Sequence, residues 1–418
     1  MPRKKKIQKD KTGYHQMSLF EVIAKNDEVK TQVVAMLKMR KAERKQWRGI
    51  VAVPPGSLAE MIVGEFQAKT DIPLEIPFFT LLHWVASTLL KRGIVVNFSD
   101  DMPDIKPDIW TVCLSKSGRS KSFTQDMIAP VLGSDDIQFP AGVASAARWI
   151  QELQIHNNSI WVKDEFGAFL QNLMVMPHMQ EIREYLLNMY GNRPISRSTK
   201  ECDIVVQNPA LVIYGLSQLE SFPEQVSSEN LICGFAQRFN YVIAHDDPDR
   251  KMIDYPIYNL NRAQWREEWD RLNSEIKHQK YIARNRAIEA YKTAFKTLWR
   301  SEVDGSFYRR LLWGAHKYAL IYHVLRGQGA QQELTPEDYG WAGRVLYLHI
   351  QDMMDILDRQ GYGEFERKLQ AAENFHEKCM REGKDFTVRN LISGVKSIKN
   401  ATEAKAILSV IMTTSPAK

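Results

Sequence analysis

The chain has 418 residues, 44% of them hydrophobic and 25% charged, with 56 basic against 50 acidic side chains. That composition is globular. It excludes a disordered, collagen-like or wholly coiled-coil chain, and the length allows two or three domains with their own cores. The net charge of +6 is uneven: residues 1–48 hold 14 basic and five acidic side chains, a local +9, which leaves −3 for the rest. Such an arm suits a polyanion such as nucleic acid, although a solubility tail or a membrane-surface segment has the same signature. Cys113, Cys202, Cys233 and Cys379 form no C-x-x-C pair and read as reduced thiols of a cytosolic protein. The start lacks the apolar core of a signal peptide, and the most apolar stretch, 78–90, is too short to span a bilayer. The expectation is a soluble cytoplasmic protein with no membrane partner.

In chain order, residues 1–15 predict a disordered start and 19–47 a helix. Pro54, Pro55 and Gly56 make a break, after which helical periodicity covers 58–67 and 76–90. Short apolar or β-branched runs follow at 94–98, 110–114, 160–163, 204–206, 211–214 and 239–244, separated by helical stretches. Continuous apolar strands alternating with helices predict an α/β fold whose parallel sheet is covered on both faces. Beyond residue 250 the strand signal stops. Helices are expected over 262–300, 307–326, 336–357 and 364–381, with shorter ones at 388–395 and 403–411.

The run 110–114 leads into Ser115-Lys116-Ser117-Gly118-Arg119-Ser120-Lys121-Ser122 and then a helical stretch. The phosphate-loop template is G-x-x-x-x-G-K-[ST] between strand and helix. Ser115 and Ser120 stand at its two glycines, while Lys121 and Ser122 are in place. The lysine would meet the β- and γ-phosphates of ATP, the serine hydroxyl would hold Mg²⁺, and backbone N–H groups would cradle the phosphates. A serine-rich strand-to-helix turn has the same spelling. The run 160–163 then ends in Asp164-Glu165, as a strand carrying a magnesium-shell aspartate and a water-activating glutamate would. Ser217, at the end of the strand that starts at 211, is a candidate sensor of the γ-phosphate or attacking water; with Glu220 it equally spells a helix cap. Arg238 is a candidate arginine finger for a neighbouring subunit's nucleotide, with an internal ion pair as the alternative.

These residues resemble the helicase-like P-loop ATPases of phages, plasmids and integrated elements, often encoded beside or fused to a primase. The resemblance covers about residues 50–360. It is carried by Val53-Pro54-Pro55, Pro107-Asp108-Ile109-Trp110, Asp164-Glu165-Phe166, Leu186-Leu187-Asn188-Met189-Tyr190-Gly191, Gly234 to Phe239, and Ala315-His316-Lys317-Tyr318-Ala319-Leu320. The resemblance implies a RecA-like core with ATP-site roles for Lys121, Ser122, Asp164, Glu165 and Arg238. It also implies a homo-oligomeric ring, such as a hexamer, acting on single-stranded DNA during replication of a mobile element, with a primase or replicative polymerase as partner. The serines in place of glycines bear on turnover rate more than on nucleotide binding. The expected activity is therefore an ATP-dependent DNA helicase or helicase-like motor; the alternative is a helicase loader or clamp-tethered adaptor that binds ATP with little hydrolysis.

In the arm, Gln16-Met17-Ser18-Leu19-Phe20 resembles the bacterial sliding-clamp-binding pentapeptide Q-L-x-L-F. Gln16, Met17, Leu19 and Phe20 would make the contact, with Leu19 and Phe20 in an apolar pocket. Ser18 with Glu21 also spells a capping box that starts a packed helix. The expected helix 262–300 has a basic second half in which Lys280, Arg284, Lys292 and Lys296 are candidate DNA contacts; a solvated face is the alternative. Its aromatics Tyr281, Tyr291, Phe295 and Trp299 read as core rather than base-stacking platforms. His245, Asp246, Asp247 and Asp249 form a metal-like cluster without ligand spacing, better read as a polar loop. The expected division is a basic arm with a clamp peptide and helix at 1–48, a P-loop NTPase core at 49–260, a helical domain at 261–360, and a small helical or winged-helix-like module at 361–418.

Overall fold

The computed structural model describes residues 48–133, 138–140, 142, 145–198, 203–226, 235–247, 259–298, 305–398 and 400–414. The arm, with its expected helix at 19–47 and the clamp-like peptide Gln16, Met17, Leu19 and Phe20, lies outside the described residues. All described residues except Asp247 belong to one compact unit, 48–246 with 251–418.

After a 3-10 helix at Arg48–Ala52 comes α1 (Leu58–Lys69), whose first turn is tied down by Ser57, which accepts from the Glu60 amide. In α2 (Glu75–Lys91) nearly every side chain is buried, as expected for a helix apolar all round. β1 (Val95–Asn97) precedes β2 (Trp110–Ser115), a wholly buried strand that feeds the 116–120 loop and then α3 (Lys121–Ile128). α4 (Ala146–Ile155), β3 (Ser159–Lys163), α5 (Phe166–Val175) and α6 (Gln180–Tyr190) follow. Next come β4 (Ile195–Ser198), β5 (Asp203–Val206), β6 (Leu211–Gln218), the short α7 (Phe222–Gln225) and β7 (Asn240–Ile243). The remainder is α8 (Arg262–Glu275), β8 (Lys280–Ile282), α9 (Asn285–Leu298), α10 (Gly305–Leu325), α11 (Pro336–Glu382), α12 (Val388–Gly394) and α13 (Ala401–Thr414).

The main sheet is parallel with strand order β3-β6-β2-β7. Gln138 adds a single parallel bridge to Ile160 on the outer side of β3. Side chains alternate across a strand, so Tyr214 and Gly215 of β6 face opposite layers. Tyr214 stacks on His83 of α2 at 4.4 Å, and α3 is pinned to α2 where Trp84 Nε1 donates to Gln125 Oε1 at 2.9 Å. On the other face Gly215 lies under Phe166 of α5; a Cβ there would come within 2.3 Å of the Phe166 ring.

Three expectations are corrected. First, not every expected strand joins the sheet. β1 pairs with β8, and β5 forms an antiparallel hairpin with β4 whose alternating exposure marks a half-solvated ribbon. Second, 262–300 is not one helix, and strands do not stop at residue 250. The Ile276 break leads into β8, where Tyr281 is buried and its hydroxyl donates to the Gly329 carbonyl at 2.5 Å. Pairing with β1 overrides the local helical pattern there. Third, 336–357 and 364–381 are one helix. α11 runs 47 residues from a capping box between Thr335 and Asp338 to Gly383 at φ +64, about 70 Å. It crosses the expected boundary at 360. Its end packs with α12 and α13 around Ala372, Leu391, Val395, Ala404 and Ile407. Among the described residues no strand follows β8, so this module is helical and shows no wing. Among the described residues no helix is long and apolar enough to cross a membrane.

Candidate nucleotide site

β2, β3 and β6 end on the same side of the sheet, and in open α/β sheets ligands bind outside the carboxyl ends of the strands. β2 ends at Ser115, and 116–120 cross to Lys121 at the first turn of α3. The two serines at the template glycines are not equivalent. Ser115 is extended, paired in register with Gln218, and needs no glycine. Gly118 is at φ +76 and Ser120 at φ +55, in the left-handed region that a residue with a Cβ enters at a cost of about 1–2 kcal/mol. Ser120→Gly should therefore stabilise the protein by up to about 1 kcal/mol, part of the strain relief being offset by the freer unfolded chain. Ser120→Val should destabilise it by about 2 kcal/mol, because a β-branched residue fits that region worst. Urea unfolding midpoints check both; a lower midpoint for Ser120→Gly would contradict the strain.

Lys121 is half-buried. Its Nζ donates to Ser115 Oγ at 3.0 Å and to the Ser217 carbonyl at 3.3 Å, bridging the ends of β2 and β6. Both acceptors are neutral, and among the described residues no carboxylate pairs with it. An ammonium held between strand ends at a helix N-terminus, facing no counter-charge, is chemically matched to phosphate. Ser122 is exposed one residue into the helix.

The carboxylates come from the other side of β6. Lys163 is level with Gly215, and Gly215 with Val112, so Asp164 and Glu165 continue beyond β3 toward the height of the loop. Two strand spacings, about 10 Å, separate β3 from β2. Both carboxylates are exposed, and Asp164 Oδ1 accepts the Glu165 amide at 3.0 Å. Glu165 is at φ +51, immediately before α5. The start of α5 is drawn onto β6 because Gly167 has no side chain: its amide donates to Ser217 Oγ at 3.2 Å.

That bond bears on the sensor candidate Ser217. Its buried hydroxyl lies on the α5 layer, where it accepts from the Gly167 amide, while its carbonyl accepts from Lys121. Strand alternation places Gln218 on the layer of Tyr214 and α3, in register with Ser115. Gln218 is the polar strand-tip residue that the linear pattern passed over; counting parity from Tyr214 was the available signal.

Asp246, just beyond β7, reaches the loop. It takes Arg119 through Nε to Oδ1 at 2.7 Å and Nη2 to Oδ2 at 2.7 Å, and Lys116 Nζ to Oδ2 at 2.9 Å. Partial burial works to raise its carboxyl, but the hydrogen bonds from Lys116 and Arg119 prevail and hold it below the usual carboxylate range. The acidic run around 245–249 thus divides: Asp246 serves the loop, whereas His245 clusters with Asp352 and Asp355 of α11, donor atoms within 4.8 Å of one another. Asp249 lies outside the described residues.

Arg238 sits at the opposite, amino end of the sheet, separated from the 116–120 loop by the length of β2, about 20 Å. Its guanidinium lies 5.3 Å from the centre of the Tyr190 ring, and Lys317 lies 5.6 Å from the same ring. Lys317 pairs with Asp108 at 2.7 Å, and Arg310 donates to Gln237. Four of the segments quoted above, around 108, 190, 238 and 317, therefore meet at one point. His316 is fully buried, its Nδ1 2.7 Å from the Tyr339 hydroxyl oxygen, in keeping with a packed rather than a chemical role.

The basic face expected on one long helix is not contiguous. Lys280 on β8 pairs with Asp104 at 2.8 Å, and Arg284 is held by Asn97 Oδ1 at 2.6 Å and Asp100 at 2.7 Å, so both fasten β8 to the β1 region. Lys292 pairs with Glu289 at 2.7 Å, and Lys296 is exposed on α9. Tyr281 is core as expected, and the Tyr291 ring lies tilted against His316 at 4.5 Å; Trp299 lies outside the described residues. No protein-family model matches the chain, and no curated protein matches it in sequence.

Proposed function

We propose that the chain is a RecA-like ATPase that binds Mg-ATP at the carboxyl end of the main sheet and acts as a replicative DNA helicase or helicase-like motor of a phage or plasmid. The observation that supports it most is Lys121, an ammonium without a carboxylate partner among the described residues, at the same end of the sheet as Asp164 and Glu165 and with β6 between them. In this reading Lys121 and the loop amides hold the β- and γ-phosphates, and Ser122 with Asp164 hold the metal shell. Glu165 takes the proton of the attacking water, and Gln218 orients that water. The bound Mg²⁺ supplies charge neutralisation on the phosphoryl oxygens. Arg238 cannot serve its own site from the far end of the sheet. Its role on phosphate is one between subunits, which calls for a ring, such as a hexamer, on single-stranded DNA.

The loader or clamp-tethered adaptor is kept as a second reading because Ser120 occupies a glycine conformation, which favours slow turnover. The clamp peptide, and a primase or polymerase as partner, belong to either reading. Purified protein is to be assayed for ATP hydrolysis with and without single-stranded DNA, and for unwinding of a forked duplex. The motor requires DNA-stimulated hydrolysis and ATP-dependent unwinding. Nucleotide binding without unwinding selects the adaptor, and no nucleotide binding ends both.

A further inference from the structure

We propose that Asp246 is a positioning residue that holds the phosphate loop in shape for a nucleoside triphosphate, by fixing Lys116 and Arg119 on either side of the Ser117-Gly118 tip; this rests on the nucleotide reading above. The loop has little intrinsic order. It contains one glycine, its residues 116–118 are exposed, and Ser120 is strained. One carboxylate supplies the missing constraint by gripping the loop at both shoulders, and the forked Arg119 contact fixes orientation as well as distance.

The mount of that carboxylate is rigid on both sides. The β2–β7 ladder continues past Ile243, with the Ala244 amide donating to the Leu114 carbonyl at 2.8 Å, so Asp246 stands two residues beyond the last bond. Among the described residues the sheet ends at β7, and α11 covers the edge there. His349 Nδ1 donates to the Tyr241 carbonyl at 3.0 Å, and the Ile243 amide donates to Asp352 Oδ2 at 3.0 Å. His349 and Asp352 lie three apart on one helix face and stand in for a neighbouring strand.

Charge alone argues the other way. Asp246 offsets one of the loop cations Lys116, Arg119 and Lys121, so its removal makes the loop more attractive to a polyanion. Positioning predicts weaker binding, and the sign of the change separates the two. Mg-ATP affinity is to be measured by titration calorimetry on the full chain, with amide hydrogen exchange over 116–120 in the absence of nucleotide. Asp246→Ala should lose at least about tenfold in affinity, the size of a lost charge-assisted forked contact. It should also exchange faster over 116–120, while Asp246→Glu, which keeps the fork, stays within about threefold of wild type. Equal or tighter binding by Asp246→Ala, or unchanged exchange, overturns the positioning role and leaves the nucleotide site standing. A wild type that binds no Mg-ATP overturns the nucleotide site and this role with it.

Discussion

Lys121→Ala should abolish DNA-stimulated ATP hydrolysis, lowering kcat/KM by at least about 10³-fold, and Glu165→Gln should lower kcat by a similar factor while leaving nucleotide affinity within a few-fold. The two variants fail for different reasons. Lys121 reaches into the space between β2 and β6 and would touch phosphate both before and during transfer, so its loss should raise KM as well as lower kcat. Glu165 is exposed, and at that turn its amide, not its carboxylate, donates to Asp164 Oδ1. Glutamine keeps the shape, and the backbone at φ +51 suits it no worse, but it cannot accept a proton. Neither change should disturb the fold. Lys121 gives up only two hydrogen bonds to neutral oxygens, and a net bond of that kind is worth about 1 kcal/mol. Steady-state kinetics with thermal melts as controls check this. Unchanged turnover in both variants would falsify the site assignment, whereas loss in both with matched melting temperatures supports it.

The parts of this site that could be read from the chain are those built from contiguous residues. β2 is a run of apolar or β-branched residues up to Leu114 because it is buried on both faces, and the loop, Lys121 and the Asp164-Glu165 pair follow their strands directly. What escaped reading depends on direction or on distant pairing. Ser217 and Gln218 are neighbours, yet strand alternation sends one toward α5 and the other toward α3. His245 and Asp246 separate likewise, one to α11 and one to the loop. β8 is three residues in a charged, helix-like stretch, and its strand character comes from β1, far away in sequence. The interval between the expected helices 336–357 and 364–381 contains Gly361 and Gly363, but each costs only about 1 kcal/mol in a helix interior, too little to break a helix already begun by a capping box.

Acidification should unfold the protein between about pH 5 and 4, driven by histidines buried in neutral form. His83, His316 and His349 are each pushed down from the ordinary 6.5, chiefly by burial: His83 to about 3, and His316 and His349 to about 4. For His83 the Phe79 carbonyl works against burial without overcoming it, as the Tyr241 carbonyl does for His349. The native state therefore refuses protons that the unfolded chain accepts below 6.5. Stability is whole above that pH and falls as pH drops toward the folded values. Each histidine contributes about 1.4 kcal/mol per pH unit in that window, so three together contribute about 4 kcal/mol per unit. By pH 5 the loss is about 6 kcal/mol and by pH 4 about 10 kcal/mol, against a total of about 5–15 kcal/mol. The loss falls on joints between layers: His83 stacks on Tyr214 of the central strand, and His349 links α11 to β7. His83→Phe keeps an aromatic ring against Tyr214 and removes one titrating group. It should cost about 1–2 kcal/mol at pH 7 by overpacking, yet flatten the pH slope by about a third. Urea midpoints taken from pH 7 to 4.5 should show the variant below wild type at neutral pH and above it below about pH 5, where the two curves cross. Parallel curves would mean that His83 is not held neutral in the core.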